Sequence, residues 1–357
     1  MSTAYLNDAL PVINIAPLLD SASSDGQLAQ VARELGEACR EVGFFYITGH
    51  HISATLEDQL ERVARDFFAR SEAEKSLINM SRGGRAWRGW FKLGSELTSG
   101  LPDQKEGIYF GDELSSEHPE VMRGTPLHGP NLFADDEMRA VVLSWMSEMS
   151  RVGHALMRGI ALSLGLEADR FDHHGMSAPL PLFRIFHYPT PTTLDLSTDP
   201  SPDPSTERWG VGEHTDYGVL TILKQDQNAG LQVKVKRSSE VKWIDAPPLE
   251  GTFVINIGDM LEKMTRGLYV STPHRVRNTS GRSRYSFPFF FDPHFHAEMS
   301  ALEGISPALT SSGRPRWDGE DVHRVSGTYG AYLMKKVGRV FPSLSSEVDL
   351  SGEASVD

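Results

Sequence analysis

Residues 212–218 read Gly-Glu-His-Thr-Asp-Tyr-Gly, and the interpretation of the whole chain begins with them. His214 and Asp216 are two positions apart, so in an extended strand their side chains point to the same face. Residues 272–276 read Thr-Pro-His-Arg-Val and supply a second histidine, His274. Two histidines and one carboxylate are the ligand set of mononuclear non-haem iron sites. Such sites leave the remaining coordination positions of the iron free for other ligands. The sequence therefore predicts that His214, Asp216 and His274 bind one Fe(2+) ion.

A possible anion site follows the second histidine, where residues 284–286 read Arg-Tyr-Ser. An arginine can hold a carboxylate through two parallel charge-assisted hydrogen bonds. Ser286 shares the strand face of Arg284 and can donate a third bond. A pocket that binds one carboxylate here, while the other end of the ligand chelates the metal, fits 2-oxoglutarate.

Further motifs stand in order along the chain, at 10–13, 43–50, 187–189, 230–233, 256–260, 289–293 and 328–333. Together with His-x-Asp, the distal His-Arg-Val and Arg-x-Ser, they are distributed over most of the length of the sequence. This ordered set resembles the 2-oxoglutarate/Fe(II)-dependent oxygenases of the isopenicillin N synthase-like superfamily. An isolated His-x-Asp would be weak evidence, because chance produces it often.

The resemblance implies a mainly β fold with flanking α-helices, namely a double-stranded β-helix (jelly roll) with an N-terminal helical support. We expect an α/β support region at 1–180, the β-helix at 181–300, a C-terminal helical segment at 301–342 and a disordered tail at 343–357. The proline-rich stretch 189–208 is predicted to be a loop, and we hypothesise that it is a lid.

Periodicity gives the elements in more detail. Apolar residues at helical spacing predict helices between residues 28 and 39, at 56–68, at 135–164 and at 328–341. Gly43 is expected to end the first of these helices. Residues 83–91 are interpreted as loop-like. Short β-rich runs predict strands at 11–16, 44–48, 182–188, 219–223, 230–235, 253–257, 268–272, 274–277 and 284–291.

The segment between His274 and Arg284 contains the turn-type sequence Asn-Thr-Ser-Gly at 278–281. If the two flanking strands form a hairpin, both side chains can face the barrel interior only when residue 274 lies opposite residue 284. This pairing requires an odd-numbered loop or a bulge. We therefore predict such a hairpin, with Gly281 in the left-handed conformation.

The resemblance also implies the co-substrate contacts. 2-Oxoglutarate would chelate iron through its 1-carboxylate and keto oxygen, and its 5-carboxylate would bind Arg284 and Ser286. Tyr188 resembles the family tyrosine whose hydroxyl reaches the co-substrate carboxylate. Many plant relatives carry asparagine two positions earlier, where this chain has Phe186, so one hydrogen bond to the co-substrate is absent or replaced.

Composition limits the partners and the compartment. The formal net charge of −13 argues against a nucleic acid partner, because phosphate binding requires a basic face. No run is long and apolar enough to cross a membrane. The single cysteine, Cys39, excludes an intrachain disulfide, and residues 1–10 lack the pattern of a secretory signal. These features predict a cytoplasmic protein.

The resemblance implies dioxygenation of a small molecule: O2 and 2-oxoglutarate give succinate and CO2 while the substrate is oxidised, most simply hydroxylated. Ascorbate is expected to stimulate turnover. By comparison with the positions that face the substrate in related oxygenases, the predicted substrate contacts are Arg88, Trp90, Glu106 and Phe291. The combination of Arg88 with Glu106 suggests an amino-acid derivative. The alternative for residues near 88 is a surface loop whose tryptophans cover the core. Two other functions stay open, an Fe(II) oxidase or cyclase that does not consume 2-oxoglutarate and a non-catalytic metal-binding jelly roll.

Overall fold

The strands are rich in aromatic and β-branched residues, which favour the pleated conformation when one face is buried. A computed structural model describes residues 9–98, 100–190, 209–237, 240–306, 319 and 321–342. The hypothesised lid at 189–208 lies outside these residues except for its first two positions, and the predicted tail at 343–357 lies outside them entirely.

Twelve strands are present in the described ranges, and they include strands at 44–48 and 253–257 with the predicted bounds. They are β1 (Val12–Asn14), β2 (Phe44–Thr48), β3 (Gly89–Phe91), β4 (Glu106–Gly111), β5 (Leu180–Tyr188), β6 (Val211–His214), β7 (Leu220–Gln225), β8 (Leu231–Arg237), β9 (Glu240–Asp245), β10 (Phe253–Ile257), β11 (His274–Val276) and β12 (Arg284–Asp292).

The strands form two sheets that enclose one cavity. The larger sheet has the order β1-β2-β10-β7-β12-β5-β4-β3, and the smaller has the order β6-β11-β8-β9. Side chains from both sheets line the space between them. The pairing is antiparallel apart from β1 with β2. This double-sheet arrangement confirms the predicted jelly roll.

The long helices pack against the larger sheet, whereas the last helix contributes side chains to the cavity. The helices of the described residues are α1 (Ala16–Leu19), α2 (Asp25–Glu41), α3 (Ala54–Phe68), α4 (Glu72–Lys75), α5 (Pro119–Met122), α6 (Asp136–Ser163), α7 (Asp259–Met264) and α8 (Tyr329–Val340). Helix α6 contacts α2, α3 and strands β5, β7 and β12. Its buried stripe forms the core that supports the sheet from behind.

Local signals explain where the first long helix begins and ends. Ser24 and Gln27 form a capping box in which each side chain bonds the backbone of the other residue. Gly43, with φ +71°, follows the helix, and its N–H bonds the Ala38 carbonyl at 2.8 Å. A left-handed residue at this position favours glycine, so the predicted helix stop is confirmed.

The predicted hairpin between His274 and Arg284 is wrong. Strand β11 pairs with β6 and β8 in the smaller sheet, whereas β12 pairs with β5 and β7 in the larger sheet. The chain therefore crosses from one sheet to the other at 277–283, and both side chains face the cavity from different sheets. Gly281 does adopt φ +71°, as predicted.

Two other element predictions need correction. The run 83–91, predicted to be loop-like, ends in strand β3, which pairs with β4. Strand β4 is buried along its six residues and joins the sheet beside β5. The predicted strand at 268–272 is absent from the described structure. Its Tyr269 and Val270 are buried, but their N–H groups bond Thr265 Oγ1 and the Cys39 carbonyl instead of a neighbouring strand.

The N-terminal part does more than support the barrel, since strands β1 to β4 are half of the larger sheet. The division of the chain at residues 180, 300 and 342 stays a prediction, although β5 does begin at Leu180. None of the helices described in this chain combines the length and the apolar character needed to cross a bilayer.

Candidate metal centre and active-site cavity

Three potential metal ligands meet at the cavity. His214 ends β6, His274 begins β11, and the two are register partners with ring centroids 4.2 Å apart. Each histidine Nε2 lies 3.8 Å from Asp216 Oδ1. One donor atom from each of the three residues lies within 4.8 Å of the others. The predicted convergence of these side chains is confirmed, although Asp216 follows β6 and is not part of the strand.

Backbone carbonyls orient both histidines. His214 Nδ1 lies 2.8 Å from the Gly212 carbonyl, and His274 Nδ1 lies 3.2 Å from the Thr272 carbonyl. With Nδ1 protonated and donating to these oxygens, each Nε2 carries a lone pair directed toward the shared space. Such outer contacts fix the tautomer and ring orientation of metal-binding histidines.

Asp216 is oriented by two side chains that the sequence analysis did not assign to the site. Its Oδ2 accepts hydrogen bonds from Thr221 Oγ1 at 2.5 Å and from Asn256 Nδ2 at 2.7 Å. Its Oδ1 is the atom that faces both histidines. The carboxylate therefore presents one oxygen for a metal while protein donors hold the other.

The protonation states of the three side chains favour the binding of a cation. Burial lowers the pKa of His274 to about 4, and the neighbouring His214 contributes to this shift. Burial also lowers the pKa of His214. Burial alone would raise the pKa of Asp216, but the two histidines and the bonds from Asn256 and Thr221 hold it below its usual value. Two neutral imidazoles and one carboxylate fit a divalent ion such as Fe(2+).

The predicted anion pocket lies in the same cavity. Arg284 is fully buried, and its Nε and Nη2 donate to the Asn228 carbonyl at 3.1 Å and to Gln225 Oε1 at 2.8 Å. Its Nη1 has no hydrogen-bond partner among the described residues. A buried unpaired donor of a cation is costly, so this atom fits a bound carboxylate.

Tyr188 and Ser286 complete this end of the cavity. Tyr188 is the register partner of Arg284 across β5 and β12, and its ring centroid lies 5.0 Å from the Arg284 guanidinium carbon. Ser286 Oγ donates to Tyr188 Oη at 3.3 Å. All three line the cavity together with the metal ligands. The residues present therefore fit the ligand that the sequence predicts, a diacid held between a cation and a metal.

The structure places the four predicted substrate contacts away from this cavity, and strand geometry explains two of them. On β5 and β12 the even-numbered residues face the cavity and the odd-numbered residues face the other side. Phe291 is odd-numbered and packs against His154 of α6, with ring centroids 4.9 Å apart. Glu106 is the register partner of the odd-numbered His187. Neither side chain is in the cavity lining.

Glu106, Trp90 and Arg88 are instead structural. Glu106 accepts bonds from Lys75 Nζ at 2.8 Å, Trp90 Nε1 at 2.9 Å and His187 Nδ1 at 2.9 Å. Arg88 is 1% exposed and donates through Nη2 to the Leu127 carbonyl at 2.6 Å. These residues stabilise the N-terminal part of the sheet. Trp90 is buried in the core, as the alternative suggested, but it lies on strand β3 and not on a surface loop.

Other charged side chains do line the cavity. Glu96 and Lys105 come from the segment between β3 and β4, and Arg184 comes from the inward face of β5. Lys105 Nζ lies 3.0 Å from Glu96 Oε2 and 2.5 Å from Asp103 Oδ2. Residues an even number of positions apart on a strand share a face, which is the rule that pairs Ser286 with Arg284. The same rule places Arg184 on the face of Tyr188, so strand alternation could have identified Arg184 from the sequence.

Comparison with known proteins agrees with this geometry. Residues 10–136 match the family described as non-haem dioxygenase in morphine synthesis N-terminal, and residues 181–293 match the 2OG-Fe(II) oxygenase superfamily. A probable iron/ascorbate oxidoreductase of Dictyostelium discoideum is 45% identical, over 96% of this chain and 97% of its own length. The chain therefore belongs to the 2OG-Fe(II) oxygenase superfamily.

More distant relatives carry more specific names. A 1-aminocyclopropane-1-carboxylate oxidase of Dictyostelium mucoroides is 36% identical, over 94% of this chain and 96% of its own. A homoarginine-6-hydroxylase of Oryza sativa is also 36% identical, over 83% of this chain and 89% of its own. The crystal structure of a full-length Neurospora crassa protein in complex with alpha-KG matches with a TM-score of 0.73 and 24% identity, over 92% of this chain and 96% of that one.

These findings define an enzyme class. The protein is a 2-oxoglutarate-dependent iron oxidoreductase with a jelly-roll fold, and a hydroxylating dioxygenase fits its relatives. The matched family and the His-Asp-His site support iron and 2-oxoglutarate as its cofactor and co-substrate.

Proposed function

We propose that His214, Asp216 and His274 are the Fe(2+) ligands, through the two Nε2 atoms and Asp216 Oδ1. The observation that carries this proposal is that the three donors converge in the cavity that also contains the unpaired Nη1 of Arg284. A metal site and a cationic pocket in one cavity match a ligand that chelates at one end and carries a carboxylate at the other.

Arg284, Ser286 and Tyr188 bind the 5-carboxylate of 2-oxoglutarate in this proposal. Arg284 Nη1 donates to one carboxylate oxygen while Nε and Nη2 stay bonded to the protein, so the guanidinium does not move when the ligand binds. Ser286 and Tyr188 turn their hydroxyls from each other to the second oxygen. Phe186 takes the place of the asparagine of many plant relatives and packs near Tyr188, with ring centroids 6.4 Å apart.

Iron with 2-oxoglutarate and O2 supplies the oxidising chemistry, which converts 2-oxoglutarate to succinate and CO2 and hydroxylates the substrate. The protein positions the metal-binding side chains and keeps water away from the reacting groups. Thr221 and Asn256 hold Asp216, and backbone carbonyls hold both imidazoles. Apolar side chains on the remaining walls exclude water from the reacting groups. They are Phe44, Leu182, Val211, Leu223, Leu231, Val276, Pro288, Phe290, Leu333, Val337, Val340 and Phe341.

The substrate that we propose is a small amino acid or amino-acid derivative. Relatives named for homoarginine hydroxylation and for 1-aminocyclopropane-1-carboxylate oxidation are 36% identical to this chain. The cavity wall also carries both an anionic and a cationic side chain, Glu96 and Arg184, which an apolar substrate would leave unsatisfied. A reducing cytoplasmic compartment belongs to the same proposal, because Cys39 is a buried free thiol and ferrous iron needs reduced conditions. Ascorbate is expected to stimulate turnover by keeping the iron ferrous.

The direct experiment is a succinate-release assay with Fe(II), ascorbate, O2 and 2-oxoglutarate. The panel contains the common L-amino acids, L-homoarginine, 1-aminocyclopropane-1-carboxylate and thymine as an uncharged comparison. Succinate release stimulated by an amino acid, with a product heavier by one oxygen atom, supports the proposal. Stimulation by thymine and by no amino acid would refute the substrate class but keep the oxygenase.

Two relatives favour a second candidate, an oxidase on the same scaffold that consumes no 2-oxoglutarate. Its basis is the similarity to the 1-aminocyclopropane-1-carboxylate oxidases of two Dictyostelium species. Substrate oxidation that proceeds at full rate without 2-oxoglutarate, and without succinate, would establish it. The unpaired Nη1 of Arg284 favours the 2-oxoglutarate enzyme, because that oxidase would leave the buried donor unsatisfied.

A further inference from the structure

A second group of charged side chains lines the cavity in addition to Arg284. It consists of Glu96, Asp103, Lys105 and Arg184, and we name it the charged wall. Glu96, Asp103 and Lys105 have side chains that are 5%, 2% and 1% exposed, and that of Arg184 is 16% exposed. Glu96, Lys105 and Arg184 face the cavity directly. Burying four charged groups costs free energy, so their position beside the reaction centre calls for an explanation.

Arg184 is positioned as a ligand-binding cation. Its guanidinium stacks on two rings, with its central carbon 3.9 Å from the centroid of Tyr109 and 4.8 Å from that of Phe290. Stacking occupies the faces of the guanidinium and leaves its N–H edges to make hydrogen bonds. Its Nε has no hydrogen-bond partner among the described residues, and its Nη1 is 3.9 Å from Glu96 Oε1, beyond hydrogen-bond distance.

Glu96 is held in place but keeps acceptor capacity. Tyr109 Oη donates to its Oε1 at 2.7 Å, and Lys105 Nζ lies 3.0 Å from its Oε2. The Lys105 contact lacks hydrogen-bond geometry, and Oε2 has no hydrogen-bonding partner within the described ranges. Lys105 is shared with Asp103, so one ammonium serves two carboxylates. A carboxylate can accept about four bonds, and Glu96 therefore has room for a donor from a ligand.

Charge balance limits the charge that a ligand at this wall can carry. Two carboxylates and two cations make the charged wall neutral as it stands. A head group with a single net charge would leave that charge uncompensated at this buried wall, which is strongly unfavourable. A zwitterion keeps the site neutral and satisfies both polar edges. Because Arg184 Nη1 and Glu96 Oε1 are only 3.9 Å apart, the two charges of the ligand must also be close together.

We propose that the charged wall binds the head group of an α-amino acid, with the carboxylate on Arg184 and the ammonium on Glu96. Lys105, Asp103 and Tyr109 act as positioning residues for Glu96. This inference rests on the proposed function and specifies which end of the substrate the protein recognises. It keeps the zwitterion chemistry suggested by the sequence but assigns it to different residues. The side chain of the amino acid then extends away from the wall.

The test uses the full chain with Fe(II) and 2-oxoglutarate, and L-homoarginine and L-arginine as probes beside their methyl esters and Nα-acetyl forms. The wild-type protein is expected to prefer each free amino acid at least about tenfold in kcat/KM over both modified forms, since each loses one charged contact. The same preference is expected for anaerobic equilibrium binding to the 2-oxoglutarate complex. The esters remove the carboxylate charge and the acetyl forms remove the ammonium, so each probe reports on one contact.

Two variants assign the contacts. Arg184→Gln should lose most of the preference for free acid over methyl ester, while Glu96→Gln should lose most of the preference for the free amine over the acetyl form. Arg184→Lys should regain part of the acid preference. The controls Arg324→Gln and Glu167→Gln, at exposed positions, should keep wild-type selectivity. A purely structural role would change acid and ester binding by the same factor.

Three outcomes would overturn the inference. Variants that weaken acid and ester equally would show that Arg184 does not contact the carboxylate. If the variants fail to fold, wild-type protein that accepts ester and acetyl forms as well as the free amino acid is sufficient to refute it. In both cases an amino acid can still be turned over and the proposed function stands. If no amino acid binds and thymine does, the proposed substrate class is refuted as well.

Discussion

Thr221 and Asn256 are register partners on β7 and β10, and both donate a hydrogen bond to Oδ2 of Asp216. Strand pairing thus builds the outer support of the metal site from two sequence-distant residues. If one of these two donors is removed, the Asp216 carboxylate is less restrained. It can then rotate and present Oδ1 or Oδ2 to the cavity.

Asn256→Ala is therefore expected to weaken Fe(II) binding about 10- to 100-fold, the usual effect of losing an outer partner of a metal ligand. Anaerobic titration with Fe(II) measures it. Thr221→Ser keeps the hydroxyl donor and should retain affinity close to that of the wild type. Equal affinities for wild type and Asn256→Ala would show that the bond to Asp216 is irrelevant to the metal.

Asp216→Ala removes the proposed carboxylate ligand, and we expect it to abolish turnover and weaken Fe(II) binding further than Asn256→Ala does. Activity and metal content are measured on the same preparation. The exposed Asp169→Ala is the matched control and should be unchanged. Full activity of Asp216→Ala would eliminate Asp216 as a ligand.

Arg284→Lys retains the positive charge and loses the planar arrangement of donors, so the affinity for 2-oxoglutarate should fall severalfold or more. Anaerobic binding of 2-oxoglutarate to the Fe(II) protein gives the dissociation constant directly. Arg282→Lys, two positions away and exposed, should bind as the wild type does. The role of Arg284 is excluded if both variants bind equally well.

Glu106→Gln tests the reassignment of a residue that the sequence placed at the substrate. Its carboxylate receives bonds from Lys75, Trp90 and His187, so the neutral amide should lower the free energy of unfolding by about 1–3 kcal/mol. Urea denaturation measures this change. The KM for the substrate should stay close to that of the wild type, and a large selective increase in KM would restore Glu106 to the substrate site.

Gly258 lies against the loop that carries Asp216. A Cβ built at this position would lie 2.3 Å from the Gly218 carbonyl oxygen. Gly258→Ala should therefore destabilise the protein by about 1–3 kcal/mol through overpacking. Gly26→Ala is the control, since its Cβ meets nothing closer than 3.9 Å and alanine favours its helix. If both variants have the same denaturation midpoint, the contact is not rigid.

The sequence predicts the site best where a local rule applies. His214 and Asp216 are close in sequence, and Arg284 and Ser286 follow strand alternation, so their shared orientation is predictable. The same rule applied to Tyr188 leads to Arg184, which the sequence analysis did not assign to the site. Capping and glycine signals likewise mark the beginning and end of long helices.

The errors arise where long-range pairing decides the outcome. The predicted His274–Arg284 hairpin rests on a turn-like sequence, but β11 and β12 satisfy their backbone bonds in different sheets. Glu106 is assigned to the substrate by its position in the sequence, yet the register of β4 against β5 turns it to the face of His187. Thr221 and Asn256 cannot be recognised without the pairing of β7 with β10.

In the proposed arrangement, the inward face of β5 carries Tyr188 for 2-oxoglutarate and Arg184 for the substrate, while Glu96 and Lys105 come from the connection between β3 and β4. Part of the proposed substrate selection is therefore encoded in the segment 92–105, which carries none of the proposed ligands of iron or 2-oxoglutarate. Replacing residues 92–105 by a designed segment offers a route to retarget this catalyst without redesigning its iron chemistry.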